Sequence, residues 1–282
     1  MRRAFLIAAL SIGLVAAVLP TAAIAGHPND HVALLVGLDH FLGRTRPNFG
    51  SLGDVNDMQM LLLQRGWRPE RIRVLTDSGA RAADIRSGLQ WLVDNCEERS
   101  WCVFHYSGHV KQMNKDRDRD GEAVDEFLWP YDNQFISDGE LAGYLRQLRG
   151  YALISISGCE AAGFDDGVSS PRRLFVASSQ EPEKSYEYPA WSNTVFTGLM
   201  VDQATLQGQG DADRNGRTSF DEAFRYASER APQMTSGQKK GPQHPYRAGG
   251  SEVPDLFDPP RPPPPPPAPA AAPKTCLLFI CL

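Results

Sequence analysis

YALISISGCEAAGF, Tyr151 to Phe164, changes character half-way along. Tyr151 to Ile156 is a short apolar run rich in strand formers, following an amphipathic segment that ends at Gly150, so it reads as a buried strand. Ser157-Gly158-Cys159 then places a single thiol just past the strand end, and Ala161-Ala162-Gly163 is small enough for another segment to come close. Binding crevices of open α/β sheets form outside the carboxyl ends of strands, so Cys159 can face one. Free cysteine is also among the most buried residue types, and a core thiol is the competing reading.

A second stretch repeats the design. Trp101 to Tyr106, WCVFHY, is another buried-strand pattern, and it runs into Ser107-Gly108-His109. Two strands thus end in Ser-Gly followed by a nucleophile or a base. Sulfur chemistry needs a proton acceptor beside the thiol, and an imidazole titrates near neutrality. The pairing carries this inference, since a lone histidine is usually structural.

Working outward, strand and helix patterns alternate. His31 to Leu38 reads as a strand and Asp54 to Arg65 as a helix, with Val55, Met58, Leu61 and Leu62 at helical spacing. Arg71 to Thr76 is a strand, Ala82 to Asn95 a helix, Leu174 to Ser178 a strand and Trp191 to Gln207 a helix. Ser137 and Glu140 stand at capping-box spacing before the helix that precedes Tyr151. Such alternation implies an α/β fold with a mostly parallel sheet between helical layers.

Composition sets the limits. The chain has 282 residues, is 41% hydrophobic and carries a net charge of -5, which is enough for a core and gives no footprint for nucleic acid. Residues 1–25 have Arg2 and Arg3, an apolar run from Ala4 to Leu19 and a small-x-small ending at Ala23-Ile24-Ala25, the pattern of a Sec-type signal peptide and hence of export. In an oxidising compartment Cys96 and Cys102 can pair, leaving Cys159 free. The folded domain is expected over residues 26–250. Residues 251–282 read as a tail, with an extended polyproline spacer from Pro259 to Pro273 and an apolar end, TCLLFICL, too short to span a bilayer. The sequence does not decide whether that end touches a membrane.

In order along the chain, VALLVGL, GDVNDMQMLLLQRGW, FHYSGH, DEFLWPYD and SISGC resemble the caspase and metacaspase superfamily of cysteine peptidases, over roughly Asp30 to Gly250. The resemblance implies a caspase-like three-layer α/β/α sandwich around a mostly parallel sheet, and an endopeptidase acting on proteins or peptides. It implies Cys159 as nucleophile, His109 as general acid/base, and the N–H groups of Gly108 and Cys159 as the oxyanion hole. A pocket for Arg or Lys is implied at Asp57, Ser107, Asp132 and Ser157, with Asp57 as a helix-face charge and Asp132 as a turn residue on the opposing reading. The chain departs from the family pattern in having Ser157 for an acid, Glu160-Ala161-Ala162 for His-Ser-Gly, and Val110 for the glycine after the histidine. Arg172-Arg173, in the segment after the cysteine strand, is a site where self-processing is expected. Two alternatives keep the fold or the dyad: an inactive caspase-like calcium-binding scaffold, and a thiol transpeptidase or hydrolase of another clan.

An independent pattern lies at residues 211–222, DADRNGRTSFDE. Asp211, Asp213, Asn215, Arg217 through its carbonyl, Ser219 and Glu222 match the ligand positions of an EF-hand-like loop, with Gly216 at the turn, so a structural Ca²⁺ is expected. Ser219 and Glu222 also fit a helix-capping box. DRDRDG, Asp116 to Gly121, starts similarly but has Phe127 at position twelve and reads as a solvated loop.

Overall fold

A computed structural model describes residues 30–114 and 124–257. The segment read as a signal peptide, the DRDRDG stretch and the proline-rich stretch lie outside the described residues. The chain begins with β1 (Val32–Gly37), α1 (Ser51–Gln64), β2 (Ile72–Thr76), α2 (Ala82–Asn95) and β3 (Trp101–Ser107). Three short strands follow, β4 (Val110–Met113), β5 (Asp125–Leu128) and β6 (Ile136–Ser137), then α3 (Asp138–Leu145) and β7 (Tyr151–Ser157). The second half holds β8 (Arg173–Ala177), β9 (Glu187–Tyr188) and β10 (Asn193–Thr194). There α4 opens as Val195–Thr197 and continues in π-helical turns over Gly198–Leu206, before α5 (Phe220–Thr235) and β11 (Tyr246–Gly249).

The central sheet has the order β11-β8-β7-β3-β1-β2. All neighbours run parallel except β11, which closes one edge antiparallel to β8. β1, β3 and β7 are buried along their whole length because helices cover both faces. One core layer places Leu34, Phe104 and Ile154 under α2 and α3; the other places Leu35, Val103 and Leu153 under α1, α4 and α5. This is the three-layer α/β/α arrangement that the alternating pattern predicts. Cys96 and Cys102 form a disulfide joining the end of α2 to the start of β3.

Differences from the sequence reading cluster where elements are short. The β4-β5-β6 sheet and β11 have too few residues for a period to show. Asn193 and Thr194, expected within a helix, form β10 against β9 before α4 begins. The fold also runs past residue 250. Leu256 and Phe257 are buried, Phe257 O accepts from Arg65 Nε at 2.8 Å, and Asp255 caps α5 by accepting from Phe220 N at 3.0 Å. Seven residues assigned to the tail therefore belong to the domain.

The dibasic pair also has a defined place. Arg173 starts β8 opposite Ala152, at the end of β7 far from Cys159, and its Nε donates to Val168 O at 2.7 Å. At about 3.3 Å per residue, the remainder of β7 puts it roughly 17 Å from the turn that holds the thiol. The Arg172 guanidinium lies over the Tyr151 ring, 4.7 Å from its centroid. Folded this way, one molecule does not present Arg172-Arg173 to its own Cys159.

His105 sits inside β3 with no exposure, its Nδ1 3.1 Å from Ser155 Oγ on β7. Burial pushes its pKa down to about 3. The unfolded chain therefore binds a proton that the fold excludes, so stability is full above pH 6.5 and falls as pH drops toward 3. In His105→Gln this titration is gone. The stability gap between parent and variant should narrow by about 2 to 3 kcal/mol on going from pH 7 to pH 4.5. Denaturant titrations at the two pH values measure it, and an unchanged gap would rule the imidazole out as a source of acid sensitivity.

Candidate active site

The register Ser107↔Ser157 between β3 and β7 brings the two Ser-Gly turns side by side. His109 and Cys159 both line one cleft of about 440 Å³ at the carboxyl ends of the strands, together with Ser157, Lys184, Glu187 and Thr194. Cys159 is the free cysteine among the described residues.

Each member of the pair is fixed by its own surroundings. His109 Nε2 lies 2.8 Å from Arg46 O. A carbonyl only accepts, so the proton is on Nε2 and Nδ1 is left as the base. The ring stacks on Phe41 at 4.9 Å and leans on Trp129 at 5.9 Å, while His109 O accepts from Tyr106 Oη at 2.6 Å. On the other side, Gly158 N donates to Ser178 Oγ at 3.0 Å and Gly158 O accepts from Ser179 Oγ at 3.1 Å, pinning the turn to the end of β8. Glu160 then takes a left-handed conformation, φ 53°, which turns the chain sharply away behind the nucleophile. Gly163 packs against the Glu126 carboxylate, the close approach that the small residues anticipated.

The sulfur is half-buried, with its hydrogen bond to Ser185 O at 3.8 Å. Burial pushes the Cys159 thiol above its ordinary value, the charges of Glu160 and Glu187 add to this, and Lys184 opposes it. Glu160 is almost fully buried and ion-paired with Lys184. Burial likewise holds the Glu187 carboxyl above the usual range, against the pull of the Phe49 and Gly50 N–H groups.

The remaining expected site residues divide. Ser107 is buried below the cleft, and Ser157, also buried, is part of its lining, with Oγ 2.8 Å from Thr194 Oγ1. Asp57 sits behind them and accepts from Asn193 Nδ2 at 2.8 Å. Asp132 is not in this group. Its carboxylate accepts from Ala82 N at 3.1 Å, holding the start of α2, which corrects its assignment to the pocket. Gly108 is also corrected as an oxyanion donor, because its N–H is already engaged by Ser157 O at 3.1 Å. Among the described residues, the N–H groups of Gly158 and Glu160 are bonded on either side of Cys159, whose own N–H has no hydrogen-bond acceptor in the protein.

The acid that the sequence reading missed is Asp54. It has no exposure and accepts from Ser107 Oγ at 2.7 Å, Thr194 Oγ1 at 2.7 Å, Thr194 N at 3.0 Å and Asn193 Nδ2 at 3.2 Å. A side chain at Gly53 would collide with Ser192 O, so this glycine is what lets residues 192–194 reach Asp54. Burial pushes its pKa up to about 7, and the hydroxyl and amide donors pull the other way. Its hydrogen-bond donors are all neutral, and one of them, Thr194, lines the cleft. Asp54 opens the helical pattern at residue 54, where an acid also suits a helix start, and its burial could not be read from the sequence.

In the second half, Asp211, Asp213 and Glu222 offer oxygens within 4.8 Å of one another, and Gly216 has φ 84° at the turn. Asn215 Oδ1 accepts from Arg217 N at 2.9 Å, and Ser219 and Glu222 form the capping box of α5. Loop and cap thus coexist.

Residues 31–164 match the metacaspase, peptidase C14 domain family. Over this segment, which holds both His109 and Cys159, the chain is similar to the caspase/metacaspase superfamily. It is 35% identical to Metacaspase-1 of Schizosaccharomyces pombe over 113 residues, 36% of this chain and 26% of the relative. It is 31% identical to Metacaspase-3 of Arabidopsis thaliana over 109 residues, 36% of this chain and 30% of the relative. The matched segments thus span between a quarter and a third of these relatives. Caspase-1 of Spodoptera frugiperda has the same fold, with TM-score 0.59 and 11% identity over 86% of this chain and 94% of the other. A structural-genomics protein of Geobacter sulfurreducens aligns with TM-score 0.58 and 16% identity over 78% and 93% of the two chains.

Proposed function

We propose that this metacaspase-type domain is an exported cysteine endopeptidase, working through Cys159 and His109 on protein or peptide substrates. The observation that carries the reading is the shared cleft at the ends of β3 and β7, with His109 Nε2 held by Arg46 O. His109 Nδ1 takes the thiol proton as Sγ bonds to the carbonyl carbon, and the Cys159 N–H steadies the oxyanion. When the C–N bond breaks, the imidazolium gives that proton to the leaving amine. Water, deprotonated by His109, then cleaves the thioester, releasing the acid and restoring the thiol. Because burial favours the neutral thiol, transfer to His109 is coupled to attack rather than preceding it.

The preference is for Arg or Lys before the scissile bond. Asp54 supports this: a buried carboxylate bonded only to neutral donors, one hydroxyl beneath the cleft at Thr194, favours a cation above it. Export is supported by the residue pattern of 1–25 and by the Cys96–Cys102 disulfide, a bond at home in oxidising compartments. Among the described residues no helix is long and apolar enough to cross a membrane. A structural Ca²⁺ at residues 211–222 is supported by the convergence of Asp211, Asp213 and Glu222 in a loop of matching ligand spacing.

Cys159→Ala and His109→Ala should each abolish cleavage of an Arg-containing peptide library in steady-state assays. In Asp54→Asn the parent's preference for an Arg peptide over its uncharged citrulline analogue should fall at least tenfold, about 1.4 kcal/mol. In the parent that preference should strengthen as pH rises through about 7, the value to which burial pushes Asp54. A preference that is flat with pH and intact in Asp54→Asn would remove Asp54 from substrate recognition.

Calcium added to chelator-treated protein should raise Tm by binding only the folded state, and Asp211→Ala should lose that rise. Equal melting curves with and without calcium would exclude the ion at this loop.

A further inference from the structure

The segment 183–187 meets both halves of the dyad. On the cysteine side, Glu183 O accepts from Glu160 N at 2.8 Å, Lys184 pairs with the Glu160 carboxylate, and Ser185 O accepts from the Cys159 thiol. On the histidine side, a single oxygen, Glu187 Oε1, accepts from Phe49 N at 2.8 Å and Gly50 N at 2.9 Å. Phe49 lies three residues after Arg46, whose carbonyl fixes His109. Pro47 between them limits the backbone on both sides, so a hold on Phe49 and Gly50 is passed stiffly to Arg46.

The carboxylate also answers a local need. Gly50 stands at the N-cap of α1 and has no side chain to offer. Two acids supply acceptors from elsewhere, Asp39 to Ser51 N at 2.9 Å and Glu187 to the two amides before it. The partial positive charge of a helix start strengthens both contacts.

We propose that Glu187 is a positioning residue for the dyad: it ties the strap carrying the His109 acceptor to the strap touching the Cys159 sulfur, so that base and nucleophile keep their separation. The inference rests on the dyad reading and adds a mechanical role to the effect of the Glu187 charge on the thiol. A plain helix-capping role would cost stability in α1 and leave the chemistry alone. A positioning role moves the chemistry as well, because small displacements of reacting groups are costly to rate.

The test compares Glu187→Ala and Glu187→Gln with the parent in three measurements: kcat and KM on one peptide, the pH dependence of Cys159 alkylation by iodoacetamide, and Tm. Glu187→Ala should lower kcat roughly tenfold to a hundredfold with KM little changed. It should also weaken the inflection in alkylation that His109→Ala abolishes. Glu187→Gln should keep a kcat near the parent's, since its amide oxygen still accepts from Phe49 and Gly50, and should keep the inflection in alkylation, moved to lower pH by loss of the charge that raises the Cys159 thiol. Parent-like kcat and alkylation in Glu187→Ala, with only Tm lowered, would leave a helix cap and overturn the proposal. So would a Glu187→Gln as impaired as Glu187→Ala. If the parent cleaves no peptide, the peptidase reading fails by itself, and the alkylation profiles still decide the role of Glu187.

Discussion

The pairing of β3 with β7 is the contact on which the site depends. Seven residue pairs in register, from Trp101↔Tyr151 to Ser107↔Ser157, make both strands end at the same level. The side-chain period of a strand is two, so a slip of one residue would reverse which faces are buried along the entire strand. The two helical layers, each packed on a different face, prevent that slip. A sulfur and an imidazole fifty residues apart are thus located by backbone hydrogen bonds and hydrophobic burial, before any direct contact between them.

Charge in the interior is handled differently at three places. His105 is buried neutral, Asp54 is buried among four neutral donors, and Glu160 is buried against Lys184. The first two make opposite demands on pH. Burial holds the proton off His105, whose contribution to stability is lost in acid, whereas it holds a proton on Asp54, whose burial becomes harder as pH rises toward 7. Cys159 sits between these regimes, with carboxylates and an ammonium near its sulfur. The cleft is therefore not tuned toward a standing thiolate.

The sequence carried the long elements well. Ala82 to Asn95 is a helix with the bounds its apolar spacing gives, and the strands ending in Ser-Gly lie where their apolar runs place them. It put His109 and Cys159 just past strand ends, and both line one cleft there. It could not carry what depends on which distant groups meet. Asp57 and Asp132 have acidic side chains like Asp54, but only packing tells that one sits behind Asn193, one caps α2 and one lies under the cleft floor. Gly108 looks like a free donor until its partner on β7 is seen. Glu187 gives no local signal, since its partners are 138 and 137 positions away.

The position of Arg173 at the foot of β8 has a kinetic consequence. Substrate and nucleophile in one folded copy are separated by most of a strand, so any cut there by this chain requires a collision between two molecules. Its initial rate would scale with the square of protein concentration, and dilution would silence it.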